Sequence, residues 1–510
     1  MKKYFLLLLT GILTLSCESQ KPLASSGSGS SEDIVIKIIQ INDVYEIDAI
    51  NNGKSGGLAR VAWIRDSIAR ENPNTWFFLA GDFVNPSLLG TIKVDGERLQ
   101  GKQMVEVLNQ SKLDLTTFGN HEFDIKEADL QKRMDESTFK WTSANVRHVT
   151  KDGLKPFYKE SITGRNIVSD FIIYNASNSR GETVNFGVFG VTIPSNPKDF
   201  VHYEDIYDAS VRAYNEAMEN SDFVIGLTHV SIEQDKEIAR RIPELRLIMG
   251  GHEHFNMVEK VGQTVITKAD ANVVSLFVHT ITYHPPFKQY EIESELVKVT
   301  DRFPSAPAVQ AVVDKWNKIL DNNLKALVDN PSEVIYHADV PLDGTDTASR
   351  SMQTNLGTII GKSMSLAYDD QVDAAFSNGG GIRIDDRLSG DITAKDIFRI
   401  LPFGGSAVRV EMTGKLLRET LDFGLAASGS GAYLQYYNIE RSPKGEWLIK
   451  NQPLNDNKTY KLAINDFLLM GLDIPFLKED NPGILKVYKP KENEIAFDLR
   501  KAIIHYFKSK

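Results

Sequence analysis

The chain has 510 residues, 42% of them hydrophobic and 25% charged, enough for two or more core-bearing units of ~100 to 200 residues each. A formal charge of −10 without any run of lysine and arginine excludes a nucleic-acid polymer as partner, because phosphate backbones demand clustered cations. The single cysteine, Cys17, excludes an internal disulfide.

At the start, Lys2 and Lys3 precede "YFLLLLTGIL", too short to span a bilayer comfortably and built like a secretory signal. It runs into "TLSC", which resembles a bacterial lipoprotein cleavage site in which Cys17 becomes the acylated first residue. Such sites usually carry leucine three positions before the cysteine, where this chain has Thr14 followed by Leu15. Residues 1–17 are expected to be a lipoprotein signal and 18–32, "ESQKPLASSGSGSSE", a flexible tether. The protein would then be exported and lipid-anchored to a bacterial membrane, facing the periplasm or cell exterior. A plain cleaved signal and an uncleaved anchor are the other readings of this segment.

From Asp33 onward, short apolar runs end in metal-competent clusters. "IVIKIIQ" leads into Asn42 and Asp43, "TWFFLA" into Gly81 and Asp82, and "LDLTTF" into "GNHEFD". Later "DFVIGLT" leads into His229 and "LRLIMG" into "GHEH". Between them lie stretches with helical spacing, "LARVAWIRDSIARE" and "GKQMVEVLNQSK". Strands alternating with helices predict a layered α/β unit, in which ligands gather beyond the strand ends, so the five clusters should share one rim. Singly, an aspartate after a strand is usually a turn or cap, and a histidine a packing residue. Together, Asp43, Asp82, Asn120, His229, His252 and His254 offer carboxylate, amide and imidazole donors, a set suited to Mn, Zn, Fe or Co rather than Ca alone. A carboxylate bridging two metals ~3.5 to 4 Å apart suits activation of water and in-line displacement at phosphorus.

These five clusters resemble those of the calcineurin-like metallophosphoesterases, and the second half narrows the resemblance to the 5′-nucleotidase family. After the helical pattern "AVQAVVDKWNKILDNNLKALV" come "VPLDGTDTASRSMQTNLGTIIGKSM", "FSNGGGIR", "LPFGG" and "INDFLLMG". The resemblance implies an α/β fold with a four-layer αββα metallophosphoesterase sandwich over 33–305, a connector helix and linker over 306–335, and a C-terminal α/β substrate-recognition domain over 336–510. The helix itself should run from about Ala308 to Val328. Carried over, the family's pattern gives one of two divalent or mixed-valence metal ions to Asp43 and His254, makes Asp82 the bridge, and adds Asn120, His229 and His252 for the other. His121 matches the catalytic histidine and Asp124 the partner that orients it.

The resemblance also implies a nucleotide pocket. Asn378, Gly380 and Arg383 of "SNGGGIR" match residues that lie in the substrate pocket, where Arg383 can fork onto phosphate or carboxylate, Arg350 matches a phosphate-binding arginine, and Phe403 an aromatic that stacks on the base. Relatives follow "NDFL" with "GGDGY" or "GGDGF", but this chain reads "INDFLLMGLDIPFLKED". Asp473 falls near the family's acid, and Phe476 is the candidate for the displaced second aromatic.

Tyr45 departs from the family's Asp, any residue, His. A phenol with pKa near ~10 binds most metals weakly until deprotonated. Three outcomes stay open: Tyr45 coordinates as phenolate, it donates a hydrogen bond beside a weakly held metal, or the site is degenerate. The expected function is an extracytoplasmic nucleotide phosphohydrolase that releases phosphate from nucleoside monophosphates. The alternatives are UDP-sugar hydrolase, 2′,3′-cyclic phosphodiesterase or thiosulfohydrolase-type activity, or a noncatalytic ligand-binding lipoprotein.

Overall fold

The computed structural model describes residues 33–510 apart from 162, 163 and 196. The expectations for the signal, Cys17 and the tether lie outside the described residues. Among the described residues no helix is long and apolar enough to cross a membrane.

The first strand, Ile34–Ile41, shows how the sequence builds the layers. Its β-branched residues favour extended backbone, and period-2 alternation sends Ile34, Ile36 and Ile38 into one apolar cluster and Ile39 and Ile41 into another. The strand pairs in parallel with Thr75–Leu79 and antiparallel with Ser275–His284, inside a six-stranded sheet. That sheet runs, edge to edge, Gln289–Lys298, Ser275–His284, Ile34–Ile41, Thr75–Leu79, Leu115–Thr117, Lys140–Thr142. A second six-stranded sheet runs Phe171–Ser177, Thr183–Thr192, Phe223–His229, Leu247–Gly250, Thr264–Lys268, Met257–Val261.

Between the two sheets Ile36, Ile38, Phe78 and Leu115 of the first meet Phe186, Val188, Ile225 and Met249 of the second. The helices Leu58–Glu71 and Lys102–Gln110, both where the spacing predicts helix, cover the outer face of the first sheet. Ile206–Met218 and Ile232–Arg241 cover the second. This is the four-layer αββα sandwich.

The connecting helix is Pro307–Leu324, with proline at its first turn, where the missing N–H would be unbonded anyway. Val309, Val313, Trp316, Leu320 and Leu324 form its buried stripe. It stops four residues short of the expected Val328, because Ala326 and Leu327 bond back three residues, to Asn323 and Leu324, and tighten the chain out of the helix. Lys315 and the Trp316 indole both donate to Glu106, which ties the helix to the sandwich.

Beyond it a five-stranded mixed sheet runs Leu434–Tyr437, Ala374–Asn378, Thr459–Asn465, Ala407–Thr413, Ile484–Tyr488. Alternation again sorts the faces. Phe376, Val408 and Ile464 pack with Leu417 and Leu421 of the helix Gly414–Ala426. Ala375 and Ala463 face Ile360 and Ile503 of the helices Asn355–Leu366 and Leu499–Lys508. The C-terminal unit closes on the sandwich through the Arg399–Glu46 ion pair at 3.1 Å and through Asp385, which reaches His254.

Candidate metal centre and substrate cavity

All five clusters sit at or just beyond the carboxyl ends of parallel strands. Asp43 follows Ile41, Asp82 follows Leu79, Asn120 follows Thr117, His229 ends its strand and His252 follows Gly250. At the two sheets' shared rim the backbone turns sharply. Asp43, Asp82 and His252 have φ of 52°, 58° and 82°, a left-handed region that residues other than glycine seldom occupy and that gathers at functional sites. Two glycines let the turns approach: a Cβ on Gly119 would strike the Asp82 carboxylate, and one on Gly251 would lie 2.8 Å from His229 Nδ1.

Asp43, Asp82 and His229 are buried, with one potential ligand atom from each lying within 4.8 Å of the others. His229 Nδ1 donates to the Ala80 carbonyl at 2.7 Å, so its Nε2 is the nitrogen turned toward Asp82 Oδ2 at 3.2 Å and Asp43 Oδ1 at 4.0 Å. His252 donates its backbone N–H to Asp43 Oδ2 at 2.9 Å, and its ring meets His229 edge to face at 5.5 Å. His254 Nε2 lies 3.4 Å from Asp43 Oδ1. The Tyr45 hydroxyl stands inside this group, 3.4 Å from Asp43 Oδ1, 3.2 Å from Asp82 Oδ2 and 3.2 Å from His254 Nε2.

The crowding shifts protonation. Burial opposes a charge on His229, but the Asp82 and Asp43 carboxylates outweigh it and raise the imidazole to about 9. Burial also works against the Asp82 carboxylate, yet the charges of His229 and His121 hold it well below the usual range. Burial first and the His229 charge second push His252 down to about 4. Burial and then the Asp82 and Asp43 charges push the Tyr45 phenol well above its ordinary value.

Next to this group the short turn His121–Asp124 places His121 Nδ1 2.6 Å from Asp124 Oδ2, while the His121 backbone N–H donates to Asp82 Oδ1 at 2.8 Å. Asn85 Nδ2 donates to the same Asp124 oxygen at 3.1 Å. Tyr45, Asp82, Asn120, His121, Asp124, His252 and His254 line a cavity of about 420 Å³, whose other wall is Asp346, Arg350, Arg383 and Asp385 of the C-terminal unit. Arg350 pairs with Asp346 at 2.6 Å. Arg383 Nε is buried without a hydrogen-bond partner, and burial followed by the Arg350 charge pushes its pKa down.

A second cavity of about 820 Å³ adjoins the first at Arg383 and Gly431, which line both. Asn378, Gly380, Phe403 and Asp473 line it, Asn378 Nδ2 donating to Asp473 Oδ2 at 2.8 Å. Phe403 is 56% exposed, with the Arg383 guanidinium 5.7 Å from its ring centre. Phe476 is not brought to this cavity. Its ring meets Phe423 edge to face at 5.6 Å against the second core, because buried Ile474 and Leu477 on either side anchor the loop inward. Phe497 lines the cavity instead, from the turn before the last helix, where Leu499 N–H bonds the Gly405 carbonyl beside Phe403.

Two family models match the chain: calcineurin-like phosphoesterase over residues 36–256 and the 5′-nucleotidase C-terminal domain over 334–479. The chain belongs to the 5′-nucleotidase family. It is 26% identical over 470 residues to the 5′-nucleotidase of Bos taurus, a match covering 82% of this chain and 78% of that protein. It is 27% identical over 451 residues to the trifunctional nucleotide phosphoesterase of Bacillus subtilis, covering 77% of this chain but only 29% of that longer protein. The fold matches the 5′-nucleotidase precursor of Thermus thermophilus with a TM-score of 0.72 at 21% identity, over 93% of this chain and 96% of the other.

As a 5′-nucleotidase-type metallophosphoesterase the protein is a metal-dependent phosphoester hydrolase, and its residues fit divalent metal ions. Asn120 Oδ1 is buried without a hydrogen-bond partner, an arrangement costing about 1 to 3 kcal/mol unless a cation takes the lone pair, and His229 Nε2 is turned to the Asp82 carboxylate at 3.2 Å, where a cation would displace its proton. The Nδ1–H bond to Ala80 fixes the tautomer that leaves Nε2 free to coordinate.

Three supporting residues escape a sequence reading. Glu122, fully buried, accepts the backbone N–H groups of Asp82, Phe83, Val84 and Gly119 at 2.5 to 3.1 Å and so clamps two of the rim turns together. Its only signal is its place inside "GNHEFD". Lys268, also fully buried, pairs with Asp235 at 2.9 Å and with Glu253, the residue between His252 and His254, and donates to the Gly251 carbonyl at 2.8 Å. Asp385 reaches His254 from the other unit, with no local signal at all.

Proposed function

We propose that the protein is an exported, lipid-anchored nucleotide phosphohydrolase that releases phosphate from nucleoside 5′-monophosphates. The observation that carries this reading is the continuity of the two cavities. A metal-competent group with two arginines lies at one end, an exposed phenylalanine at the other, and Arg383 belongs to both. That spacing suits a ligand with an anionic head and a flat apolar tail. Export and anchoring are supported by the charged, apolar, cysteine-ended leader in the sequence.

In this reading Asp43 and His254 would hold one metal, Asn120, His229 and His252 the other, and Asp82 would serve both. When bound, the metals supply positive charge for a phosphoryl group and acidify water. Arg350 and Arg383 bind and orient the phosphate; a guanidinium with an unused buried N–H keeps donor capacity for an anion. Asp124 fixes the His121 ring through Nδ1, so Nε2 is the nitrogen left to stabilise charge on the phosphoryl and leaving oxygens. Tyr45 serves as a hydrogen-bond donor rather than a phenolate, since burial and two carboxylates oppose its ionisation. Phe403 stacks on the base.

The rewritten loop favours a second reading at the same centre, with a different leaving group such as a nucleotide sugar or a cyclic nucleotide. Its Leu472 is 65% exposed and Phe476 is turned to the core. Hydrolysis by the full chain of AMP, UDP-glucose and cyclic AMP, read as phosphate from the first, UMP with glucose 1-phosphate from the second and ring-opened mononucleotide from the third, with Mn²⁺ and then with chelator, tests both. Chelator-sensitive turnover of AMP that His121→Ala removes supports the first reading. Turnover of another substrate alone supports the second, and bound metal without turnover of any would overturn both.

A further inference from the structure

The sandwich does not complete its own metal-competent group. His254 Nδ1 lies 2.5 Å from Asp385 Oδ2, and Asp385 belongs to the C-terminal unit, 131 residues further along the chain. The carboxylate is fixed on both oxygens, because Oδ1 accepts the backbone N–H of Asp346, at the start of the helix Asp346–Ser351, at 2.7 Å. Close by, the half-buried Arg399–Glu46 ion pair joins the two units one residue from Tyr45. His229 has a backbone carbonyl of its own unit for this purpose, whereas His254 borrows a side chain from across the interface.

We propose that Asp385 is a positioning residue for the metal centre: it accepts the His254 Nδ1 proton, fixes the tautomer that leaves Nε2 as a donor, and thereby makes one of the two metal sites complete only when the units are closed. The proposal rests on His254 being a metal donor. Its physical basis is that a carboxylate on the far nitrogen orients an imidazole ligand and raises its basicity. Because the carboxylate is carried by a separate unit, metal uptake and closure stabilise each other by the same coupling.

The test is Co²⁺ binding to full-length wild type, Asp385→Asn, Asp385→Ser and the neighbouring control Asp386→Asn, read by titration calorimetry and by the visible d–d spectrum. Melting of the chelated proteins verifies that each is folded. The expected result is two sites in the wild type, one of them weakened about 10- to 100-fold in both Asp385 variants with an altered spectrum, and the other site unchanged. Asp386→Asn should retain both affinities. Two unchanged affinities and an unchanged spectrum in the Asp385 variants would overturn the proposal while leaving the metal reading intact. A wild type that takes up no Co²⁺ would overturn the metal reading itself, and the proposal with it. If Asp385→Asn fails to fold, Asp385→Ser, which removes the carboxylate without leaving an amide against the imidazole, decides.

Discussion

The Tyr45 hydroxyl lies 3.2 Å from Asp82 Oδ2 and 3.2 Å from His254 Nε2, at the position where the resemblance to the family's Asp, any residue, His pattern implies a histidine. A neutral phenol there can donate one hydrogen bond but adds no negative charge. Tyr45→Phe is therefore expected to leave both metals bound and to slow turnover several-fold. Tyr45→His should tighten the more weakly held metal by roughly tenfold, as a completed donor set would. Loading with Fe³⁺ checks the phenolate alternative, because a coordinated phenolate would colour the wild type and the colour would vanish in Tyr45→Phe.

The aromatic pair gives a second test. Phe403 is exposed in the larger cavity and Phe476 packs on Phe423. Phe403→Ala is expected to raise KM for a nucleotide by the loss of about 1 to 3 kcal/mol of stacking while leaving the melting temperature nearly unchanged. Phe476→Ala should do the reverse, lowering stability by about 3 kcal/mol through lost packing with little change in KM. Steady-state kinetics and thermal melting of the two variants separate these outcomes, and a raised KM in Phe476→Ala alone would restore that residue to the substrate pocket.

The contrast between these two residues marks what the sequence reveals. Asp43, Asp82, Asn120, His229 and His252 are legible because each lies at or within three residues of the end of an apolar run, and strand ends in α/β layers converge by topology alone. The four layers follow from the same alternation. The orientation of Phe476 is set by Ile474 and Leu477, whose burial depends on a core assembled from distant strands. Phe497 reaches the cavity only because the last helix docks on the turn at Gly405. Asp385 meets His254 across two units, and no local pattern encodes such a meeting.

Glu122 makes a third case. Its carboxylate accepts four backbone N–H groups in a site without solvent. Burial and the Asp82 charge push it up to about 7 even so. Glutamine at this position has one acceptor oxygen and turns an NH₂ toward N–H donors. Glu122→Gln is thus expected to reduce stability by roughly 1 to 3 kcal/mol, the scale for buried groups left unsatisfied, and to loosen the turns that carry Asp82 and Asn120. Denaturant unfolding of the chelated protein measures the first effect, and metal affinity the second.

The last prediction concerns pH. In the metal-free protein Asp82 and Asp43 overcome burial and hold His229 protonated up to about 9, against 6.5 ordinarily. Since the folded value is raised, this group's contribution to stability is complete below pH 6.5 and is lost as pH rises through about 9. The upward shift of His254 acts in the same direction. His252, pushed down to about 4, is neutral in the folded chain throughout that window and in the unfolded chain except near its lower edge, so it adds little there. Chelated protein should therefore melt at progressively lower temperature between about pH 6.5 and 9, His229 alone contributing on the order of 3 to 4 kcal/mol at one pKa unit per ~1.4 kcal/mol and His254 adding to it. Metal binding needs Nε2 neutral, so uptake below pH 9 should release a proton and tighten with rising pH, by up to about tenfold per unit. Calorimetry in two buffers of different ionisation enthalpy counts that proton, and a count of zero would place the charge of the metal-free group elsewhere than on His229.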